Sequence, residues 1–496
     1  MKKFQIITYL WLLSIIMFFG CNKEEIFLNE APSAVSTESF FKTSADFEAL
    51  ATACYAYMRP CYSGNYMGSV LLMGEIRSDN TTIEVCNYNE GLDEFYDIDK
   101  FVETPANGQL PAVWNNLYQC IGRCNNAIYY IDLKGAGFER VNQYRAEAEF
   151  IRALMYYNLV LYWGDVPLVT IKVNSMEQAF ALDTRVSKNL VFDQMIADLT
   201  DAKANLPENY DAANVGRVTA DAARVLYAEV LMWQNKYAEA ATELKAVMAG
   251  GRHSLLNDYA SVFSINNEMN AEIIFACQYI DGPYGQSSNH MYTFSPSMAG
   301  LDILPFGQET EVAGMNIPTT SLIRSFEKGD KRLCMIDTTF VNKNLGDDYE
   351  DTIVPYTKKY WDYNATQREI CGSDVPILRY PHVLLMLAEC YLVAGGGDPV
   401  PLVNMVRERA GLPALSTITL DDIIHERRVE FNVENDRWPV LVRTGKALAV
   451  MTAHGIEQKQ QRKSFVSPAY DRINLLFPIP MDAMSINPKL TQNPGY

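Results

Sequence analysis

The chain has 496 residues, of which 48% are hydrophobic and 21% are charged, so it can bury a large core and has an ordinary globular composition. Its formal net charge of −18 argues against binding to nucleic acid, because a phosphate backbone requires a basic protein surface. An acidic surface is compatible with a neutral ligand such as a sugar, and also with a cationic ligand.

The N-terminus has the pattern of a processing signal. Lys2 and Lys3 precede an uncharged apolar run over residues 4–20, and Cys21 follows this run directly. A glycine–cysteine junction at the end of such a run resembles the cleavage site of a bacterial lipoprotein. We therefore expect residues 1–20 to be a signal peptide and Cys21 to carry the lipid. An uncleaved membrane anchor and ordinary secretion are the alternatives.

The mature chain is expected to begin with a lipidated tether over residues 21–32, followed by a single domain over residues 33–496. Lys23, followed by Glu24 and Glu25, resembles the export tag of some surface lipoproteins. A solvated tether without such a signal is the alternative interpretation.

Apolar residues that recur at steps of three and four predict a series of helices along the domain. In chain order, their expected bounds are 45–58, 112–133, 138–163, 187–206, a pair within 219–249, a pair within 383–411, and 419–437.

The helix expected over residues 138–163 has the strongest pattern. It carries two apolar stripes on adjacent faces, which predicts that neighbouring elements cover it on more than one side. We expect it to end at Trp163 and Gly164, because Pro167 cannot continue a helix.

Several of these segments are expected to be helix pairs of the tetratricopeptide kind. Ala228 and Ala240 lie on either side of a turn at residues 234–236, and small residues at this spacing let two helices approach closely. Residues 383–411 fit a second pair, and residues 156–206 fit a third with a loop inserted. The predicted fold class is mainly α, an α/α superhelix of such pairs. An unrelated helical bundle is the alternative.

Two long stretches, residues 60–111 and 258–380, lose the helical period. Both are rich in Gly, Asn and Tyr, and loops of this length usually carry function or lack order. We expect the first stretch to be irregular. We expect the second, about 258–380, to be a loop-rich lobe with a few short strands inside the same domain.

The cysteines predict no disulfide framework. Nine remain after Cys21, and both their odd number and their irregular spacing argue against pairing. Most of them are expected to be small buried hydrophobic residues.

Short motifs along the whole mature chain resemble those of the SusD/RagB family of outer-membrane nutrient-binding lipoproteins. The motifs are Cys21; Ser39-Phe40-Phe41; Ser78-Asp79; Trp114 to Tyr118 with Asn125-Asn126; Glu147-Ala148 with Arg152-Ala153; Trp163-Gly164-Asp165-Val166-Pro167; Leu378-Arg379-Tyr380 with Leu385 and Ala388-Glu389; Asn404 with Arg407 and Arg409-Ala410-Gly411-Leu412-Pro413; Glu426-Arg427-Arg428 with Glu430; and Asn493-Pro494-Gly495-Tyr496. Their order along the chain, rather than any single motif, carries the resemblance.

The resemblance implies an α-helical fold of tetratricopeptide-like pairs, with a loop-rich lobe that carries the ligand face. It implies a location in the outer membrane through lipid on Cys21, facing the cell exterior. It also implies two partners. One is an oligosaccharide that the protein captures, and the other is a TonB-dependent, SusC-like barrel transporter that receives it.

No motif points to an enzyme, a metal site or a cofactor. Glu147 with Glu149, and Glu426 with Glu430, lie beside Arg on predicted helices; ion pairing is the expected role and a glycosidase pair is the alternative. The sequence contains no HExxH, GxSxG or GxxxxGK[ST] motif. We therefore predict a binding protein with no catalytic residue, no metal and no cofactor.

The two irregular stretches contain residues suited to sugars. Aromatic side chains can cover the apolar faces of sugar rings, and amide and guanidinium groups can bond hydroxyl groups. The resemblance places ligand contacts in loops of these stretches. The candidate ligand-binding residues are Tyr62, Asn65, Tyr66, Arg77, Tyr88, Tyr96, Tyr279, Tyr284, Asn289 and Tyr292. Partial burial is the alternative for each tyrosine. Trp361 is a further candidate for stacking, with a packed strand as the alternative.

Three other functions fit the same sequence. The same fold and transporter role could serve peptide cargo, because an acidic cleft suits cationic peptides. A lipid-anchored hydrolase and a repeat scaffold without a small ligand are the other two.

Overall fold

The structure, a computed structural model, consists mainly of α-helices. It describes residues 40–63, 68–84, 93–182, 184–282, 286–297, 303–305, 314–342, 352–367, 370–461 and 469–496. The described residues before Phe47 belong to a unit of their own, in which the Asp46 carboxylate accepts hydrogen bonds from the N–H groups of Lys42 and Thr43. From Phe47 to Tyr496 the chain forms one compact unit that contains both the helix pairs and the lobe.

The helices are numbered in chain order. They are α1 (Ser44–Tyr62), α2 (Val70–Ile76), α3 (Asp93–Asp99), α4 (Gln109–Lys134), α5 (Val141–Trp163), α6 (Met176–Ala181), α7 (Lys188–Asn205), α8 (Ala220–Trp233), α9 (Tyr237–Gly250), α10 (His290–Thr293), α11 (Thr320–Ser325), α12 (Tyr380–Ala394), α13 (Pro399–Arg409), α14 (Leu420–Glu430), α15 (Arg437–Arg443), α16 (Ala447–Gln461) and α17 (Met481–Ile486).

The strands are short. They are β1 (Thr81–Thr82), β2 (Val166–Pro167), β3 (Arg185–Val186), β4 (Ile273–Cys277), β5 (Ile317–Pro318), β6 (Ile336–Asp337), β7 (Val341–Asn342), β8 (Thr352–Ile353), β9 (Tyr356–Thr357) and β10 (Val375–Arg379). They pair antiparallel as β1 with β5, β2 with β3, β4 with β10, β6 with β9, and β7 with β8.

Helix α5 is enclosed, as its two apolar stripes predict. Most of its side chains are buried, among them Phe150, Leu154 and Trp163. It packs against α4 and against α7. It ends at the expected residue, where the N–H of Gly164 bonds the Val160 carbonyl and the φ of Gly164 is +71°, a backbone conformation that favours glycine.

The predicted helix pairs are confirmed. Helices α8 and α9 form a hairpin in which the N–H of Lys236 bonds the Leu231 carbonyl at 2.9 Å. Ala228 and Ala240 are fully buried, which lets the two helices pack closely. Helices α12 and α13 form the second pair. Helices α5 and α7 form the third, and its inserted segment contains α6, β2 and β3.

Residues 60–111 are more regular than expected. Helix α1 continues to Tyr62, α4 begins at Gln109, and α2 and α3 lie between them. Helix α2 is seven residues long and entirely buried, and the Ser69 hydroxyl caps its start by accepting a bond from the Leu72 N–H. The sequence pattern missed α2 because a short, fully buried helix shows no amphipathic period.

The helix expected over residues 419–437 ends early. Helix α14 stops at Glu430 and α15 begins at Arg437. Between them Val433 and Asn435 have φ angles of +61° and +64°, which interrupts the helix.

The described part of the 258–380 stretch is the loop-rich lobe that the composition predicts. It contains strands β4 to β10 and short 3₁₀ turns. The described cysteines are free thiols, and all of them except Cys334 are buried. Within the described ranges, no helix combines the length and apolar character that a membrane crossing requires.

A buried cluster of charges joins the lobe to the helix pairs. This Glu430 cluster consists of Glu272, Arg332, Arg379, Arg409, Glu426 and Glu430. The Glu430 carboxylate, on α14, accepts hydrogen bonds from Arg409 at 2.5 Å, from Arg379 at 3.0 Å and from Arg332 at 3.2 Å. Arg409 ends α13, whereas Arg379 ends β10 and Arg332 lies in the lobe. One carboxylate therefore holds three parts of the chain.

The electrostatic setting keeps Glu430 ionised. Burial alone would raise its pKa, but the guanidinium groups of Arg409, Arg379 and Arg332 outweigh burial and hold the pKa well below its usual range. A carboxyl whose pKa falls on folding stabilises the folded state above its unfolded pKa of about 4.3, and this contribution is lost as the pH falls.

Replacing Glu430 by glutamine should lower the free energy of unfolding by about 3 to 5 kcal/mol, because three buried guanidinium groups lose their shared carboxylate. Urea unfolding at neutral pH, followed by circular dichroism, measures the change. Glu408→Gln is the matched control, because the Glu408 side chain on α13 is exposed and its loss should matter by less than about 0.5 kcal/mol. Equal stabilities of the two variants would contradict the role of Glu430.

Candidate ligand-binding site

The two polar stretches meet where β1 pairs with β5. Beyond β1, the Glu84 N–H donates to the Gly314 carbonyl at 2.7 Å, and the Glu84 carboxylate accepts a bond from the Ser297 N–H at 2.6 Å. We name this region the Glu84 junction. It comprises residues 80–84, 295–297 and 314–319. The structure therefore brings together the two stretches that the sequence analysis singled out.

Glycine is needed at position 314 for this approach. The φ of Gly314 is +87°, and a Cβ there would lie 2.8 Å from the Cβ of Glu84. The N–H of Gly314 also donates to the Ser295 carbonyl at 2.7 Å. Hydrogen bonds therefore hold the backbone segments of the junction in van der Waals contact with each other.

The buried carboxylate of Asp99 holds β1 in place. Asp99 accepts hydrogen bonds from the Thr82 hydroxyl at 2.7 Å and from the Ile83 N–H at 3.0 Å. The ammonium group of Lys100 bonds the same carboxylate at 2.7 Å. These contacts place β1 against the end of α3.

Ser78 and Asp79 hold the turn before β1. The Ser78 hydroxyl donates to the Glu75 carbonyl, and the Asp79 carboxylate pairs with Arg437 and Arg428 at 2.8 Å each. Burial would raise the pKa of Asp79, but these two guanidinium groups outweigh it and keep the pKa well below its usual range.

A further set of contacts joins the end of α1 to the second stretch. The Arg59 guanidinium donates to the Gln278 carbonyl at 3.0 Å, and the Tyr279 hydroxyl donates to the Arg59 carbonyl at 3.0 Å. Tyr279 is buried and packs at 6.0 Å, between ring centroids, from His290. The second stretch is therefore held to helix α1 as well as to the first stretch.

The predicted ligand-binding residues fall into two groups. Asn65, Tyr66, Tyr88 and Tyr284 lie outside the described residues. Tyr96 lies on α3 and is partly exposed, and the other candidates are buried. The buried ones are Tyr62, Arg77, Tyr279, Asn289 and Tyr292.

Arg77 has a structural position in place of the ligand contact that we expected. Its guanidinium is fully enclosed, pairs with Glu103 at 2.8 Å and donates to the Asn474 carbonyl at 2.6 Å. It also lies over the rings of Phe101 and Phe477, at 4.4 and 4.2 Å from their centroids. Arg77 therefore anchors the C-terminal segment.

Tyr62 and Asn289 are likewise tied into the interior. The Tyr62 hydroxyl accepts a bond from the Asn158 amide at 3.0 Å, and the backbone carbonyl of Asn289 accepts the N–H of Thr293 at 2.9 Å. Both side chains are almost fully buried. In this conformation the two residues form part of the packed interior.

Trp361 is packed rather than free to stack. It belongs to a cluster of buried side chains in the lobe, and its ring centroid lies 5.2 Å from that of Tyr356. Tyr292 and Leu304 belong to the same cluster. The chain around Trp361 follows β9 and is a turn, not the strand offered as the alternative.

The lobe also contains a cleft that was not predicted from the sequence. It has a volume of about 390 Å³ and lies between residues 258–266 and residues 358–364. Tyr363, at its edge, is 71% exposed, and Asn364 is also exposed. A signal was present, because Asp362 and Asn364 are of residue types that favour turns.

The carboxylate pairs on helices are ion-paired, as predicted. Glu147 pairs with Arg217 at 3.0 Å, and Glu426 pairs with Arg332 at 2.5 Å. Among the described residues, no group of three His, Cys, Asp or Glu side chains is arranged to hold a metal ion.

Two family models match the chain. The model described as "SusD family" matches residues 324–496, and the model described as "Starch-binding associating with outer membrane" matches residues 27–232. SusD-like protein P2 from Formosa agariphila is 28% identical, and the similarity covers 100% of both chains.

Solved structures share the fold. Surface glycan-binding protein A from Bacteroides fluxus has a TM-score of 0.76 at 25% identity, covering 92% of this chain and 100% of that chain. Surface glycan-binding protein A from Bacteroides thetaiotaomicron, in complex with laminarihexaose, has a TM-score of 0.77 at 22% identity, covering 91% of this chain and 100% of that chain.

Helix pairs of this kind, with a loop-rich lobe inserted between them, define the SusD-like fold. The chain belongs to the SusD/RagB family. Members of this family are carbohydrate-binding proteins and not enzymes.

Replacing Glu84 by alanine should speed amide hydrogen exchange at residues 295–297 roughly tenfold, because the Ser297 N–H loses its acceptor. Exchange followed by mass spectrometry measures this. Glu84→Gln is the control, since its amide oxygen can still accept that bond, and peptides from α8 should exchange equally in all variants. Unchanged exchange at residues 295–297 in the alanine variant would refute the contact.

Proposed function

We propose that this protein is a surface-exposed, lipid-anchored glycan-binding protein. It captures oligosaccharide and delivers it to a TonB-dependent, SusC-like transporter in the outer membrane. The family membership and the solved neighbour that holds laminarihexaose support this proposal. The description of the second matching family model, "Starch-binding associating with outer membrane", agrees with it.

The observation that carries the proposal is the Glu84 junction. Two Tyr- and Asn-rich stretches, far apart in the sequence, are hydrogen-bonded to each other there. Loops that start from such a fixed base can present aromatic rings to the apolar faces of sugars and amide groups to their hydroxyls. We assign Tyr66, Tyr88 and Tyr284 the role of aromatic platforms, and Asn65 and Tyr96 the role of further ligand contacts. Of these residues, Tyr88 lies in the segment that continues along the chain from Glu84.

In this mechanism the protein binds the glycan without making or breaking a covalent bond. Binding orders the glycan on the lobe, and the helix pairs form the body that meets the transporter. The net charge of −18 keeps cationic peptide cargo as the second candidate, because opposite charges attract at low salt. Peptide binding would weaken steeply as salt is added, whereas binding of a neutral glycan would not.

Calorimetric titration of residues 22–496 against a panel that includes laminarihexaose and maltohexaose should detect binding. Replacing Tyr66, Tyr88 and Tyr284 together by alanine should weaken it by at least about tenfold, because each platform contributes about 0.5 to 1.5 kcal/mol. Tyr129→Ala, on α4, is the matched control and should bind as the parent does.

Two results would overturn the proposal. One is the absence of binding to every glycan of the panel. The other is release of shortened products during the titrations, which would indicate a hydrolase. Binding only to cationic peptides would keep the transporter role and change the cargo.

Replacing Cys21 by alanine in the full-length chain should move the protein from the membrane fraction to the soluble fraction or to an uncleaved precursor, because the lipid attachment site is lost. Fractionation and mass spectrometry of the N-terminal peptide measure this. With Cys21 intact, the barrel transporter should co-purify in detergent. Lipid-free protein from the parent sequence would refute the anchor.

A further inference from the structure

The cleft in the lobe has two walls made from separate parts of the chain. One wall is residues 258–266, and the other is residues 358–364, with Cys334 and Met335 between them. Phe263 and Trp361 are mostly buried and supply the apolar floor. The volume of about 390 Å³ is within the range of small-ligand sites.

The first wall is held by its own side-chain caps. The Asp258 carboxylate accepts bonds from the N–H and the hydroxyl of Ser261 at 3.2 and 2.6 Å, and the Ser264 hydroxyl accepts the N–H of Asn266 at 3.4 Å. These bonds leave the side chain of Asn266 exposed at the edge of the cleft. The wall is therefore ordered before any ligand arrives.

The second wall is held by Asp362. This fully buried carboxylate accepts the N–H of Asn364 at 2.8 Å and the N–H of Gly372 at 3.0 Å. The turn it fixes presents the ring of Tyr363, 71% exposed, together with the side chain of Asn364. An exposed ring on a fixed turn needs little reordering to stack on a ligand.

The chemistry of the cleft suits a sugar ring. Tyr363 offers an aromatic face, while Asn266, Asn364 and the Lys358 ammonium group offer hydrogen-bond donors around it. Lys358 and Asp258 give the lining one charge of each sign, so the cleft does not select a cationic ligand by its charge. A purely apolar ligand would leave the amide groups unpaired.

We propose that this cleft is a second carbohydrate-binding subsite, separate from the Glu84 junction, with Tyr363 as its stacking platform and Asn266 and Asn364 as its hydrogen-bond donors. The proposal rests on the proposed glycan-binding function and adds a place on the lobe where a further part of the oligosaccharide, or a second chain, binds.

Calorimetry on the mature lipoprotein in detergent tests the affinity. The probes are laminarihexaose, maltohexaose, xylohexaose and mannohexaose. With the probe that binds most tightly, Tyr363→Ala should bind about three- to tenfold more weakly than the parent, and Asn364→Ala should also bind more weakly. Tyr129→Ala is the control for removing an exposed tyrosine elsewhere, and it should match the parent.

Labelling of Cys334 reports on the cleft itself. Cys334 lines the cleft and is exposed, whereas the other described cysteines are buried. Burial and the nearby Asp258 carboxylate raise the pKa of the Cys334 thiol, so labelling with a maleimide is run at mildly alkaline pH. Saturating probe should slow labelling of the peptide that contains Cys334 several-fold in the parent. Protection should be lost in Tyr363→Ala at the same probe concentration.

The outcomes separate the two proposals. If the parent binds none of the four probes, both this subsite and the proposed function fail. If the parent binds but Tyr363→Ala matches Tyr129→Ala and Cys334 is labelled at the same rate with and without probe, only the subsite fails.

Discussion

The shared carboxylate of Glu430 fixes how the lobe is placed against helices α13 and α14. Desolvation offsets much of the attraction between buried ions, so the main consequence of the cluster is geometric. Arg379, Arg409 and Arg332 come from three parts of the chain, and each must reach Glu430 within hydrogen-bonding distance. Any arrangement that moves the lobe away from α13 and α14 leaves a buried charge unpaired, which costs several kcal/mol.

Helix α14 links the Glu430 cluster to the region around β1. Successive side chains leave the helix in different directions, and each bonds another element. Glu426 bonds Arg332 in the lobe, while Arg428 bonds the Asn80 side chain at 2.9 Å next to β1. The motif Glu-Arg-Arg-x-Glu, residues 426–430, therefore contacts both the lobe and the Glu84 junction and fixes their positions. This explains why a family resemblance can be read from such a motif although its charges are engaged in ion pairs within the protein.

The sequence predicted the features that depend on local periodicity, and missed those that depend on tertiary contacts. Helix α5 and the α8–α9 hairpin have long apolar stripes, and their bounds agree with the structure to within a few residues. Helix α2 has no polar face, so the periodicity of apolar residues did not predict it. Arg77 resembled a ligand-binding residue because a polar residue in a Gly- and Asn-rich stretch looks exposed; only the fold shows that Glu103 and two aromatic rings surround it.

The junction also shows why ligand specificity is hard to read from the residues that define the family. Glu84, Ser297 and Gly314 are bonded to one another, so the chain segments that continue from them begin at fixed points whatever their own sequences are. Substitutions within those segments can change the side chains that they present without disturbing the bonds at their base. The residues that make the fold recognisable and the residues that select a sugar are therefore under different physical constraints, and the cargo has to be determined by titration.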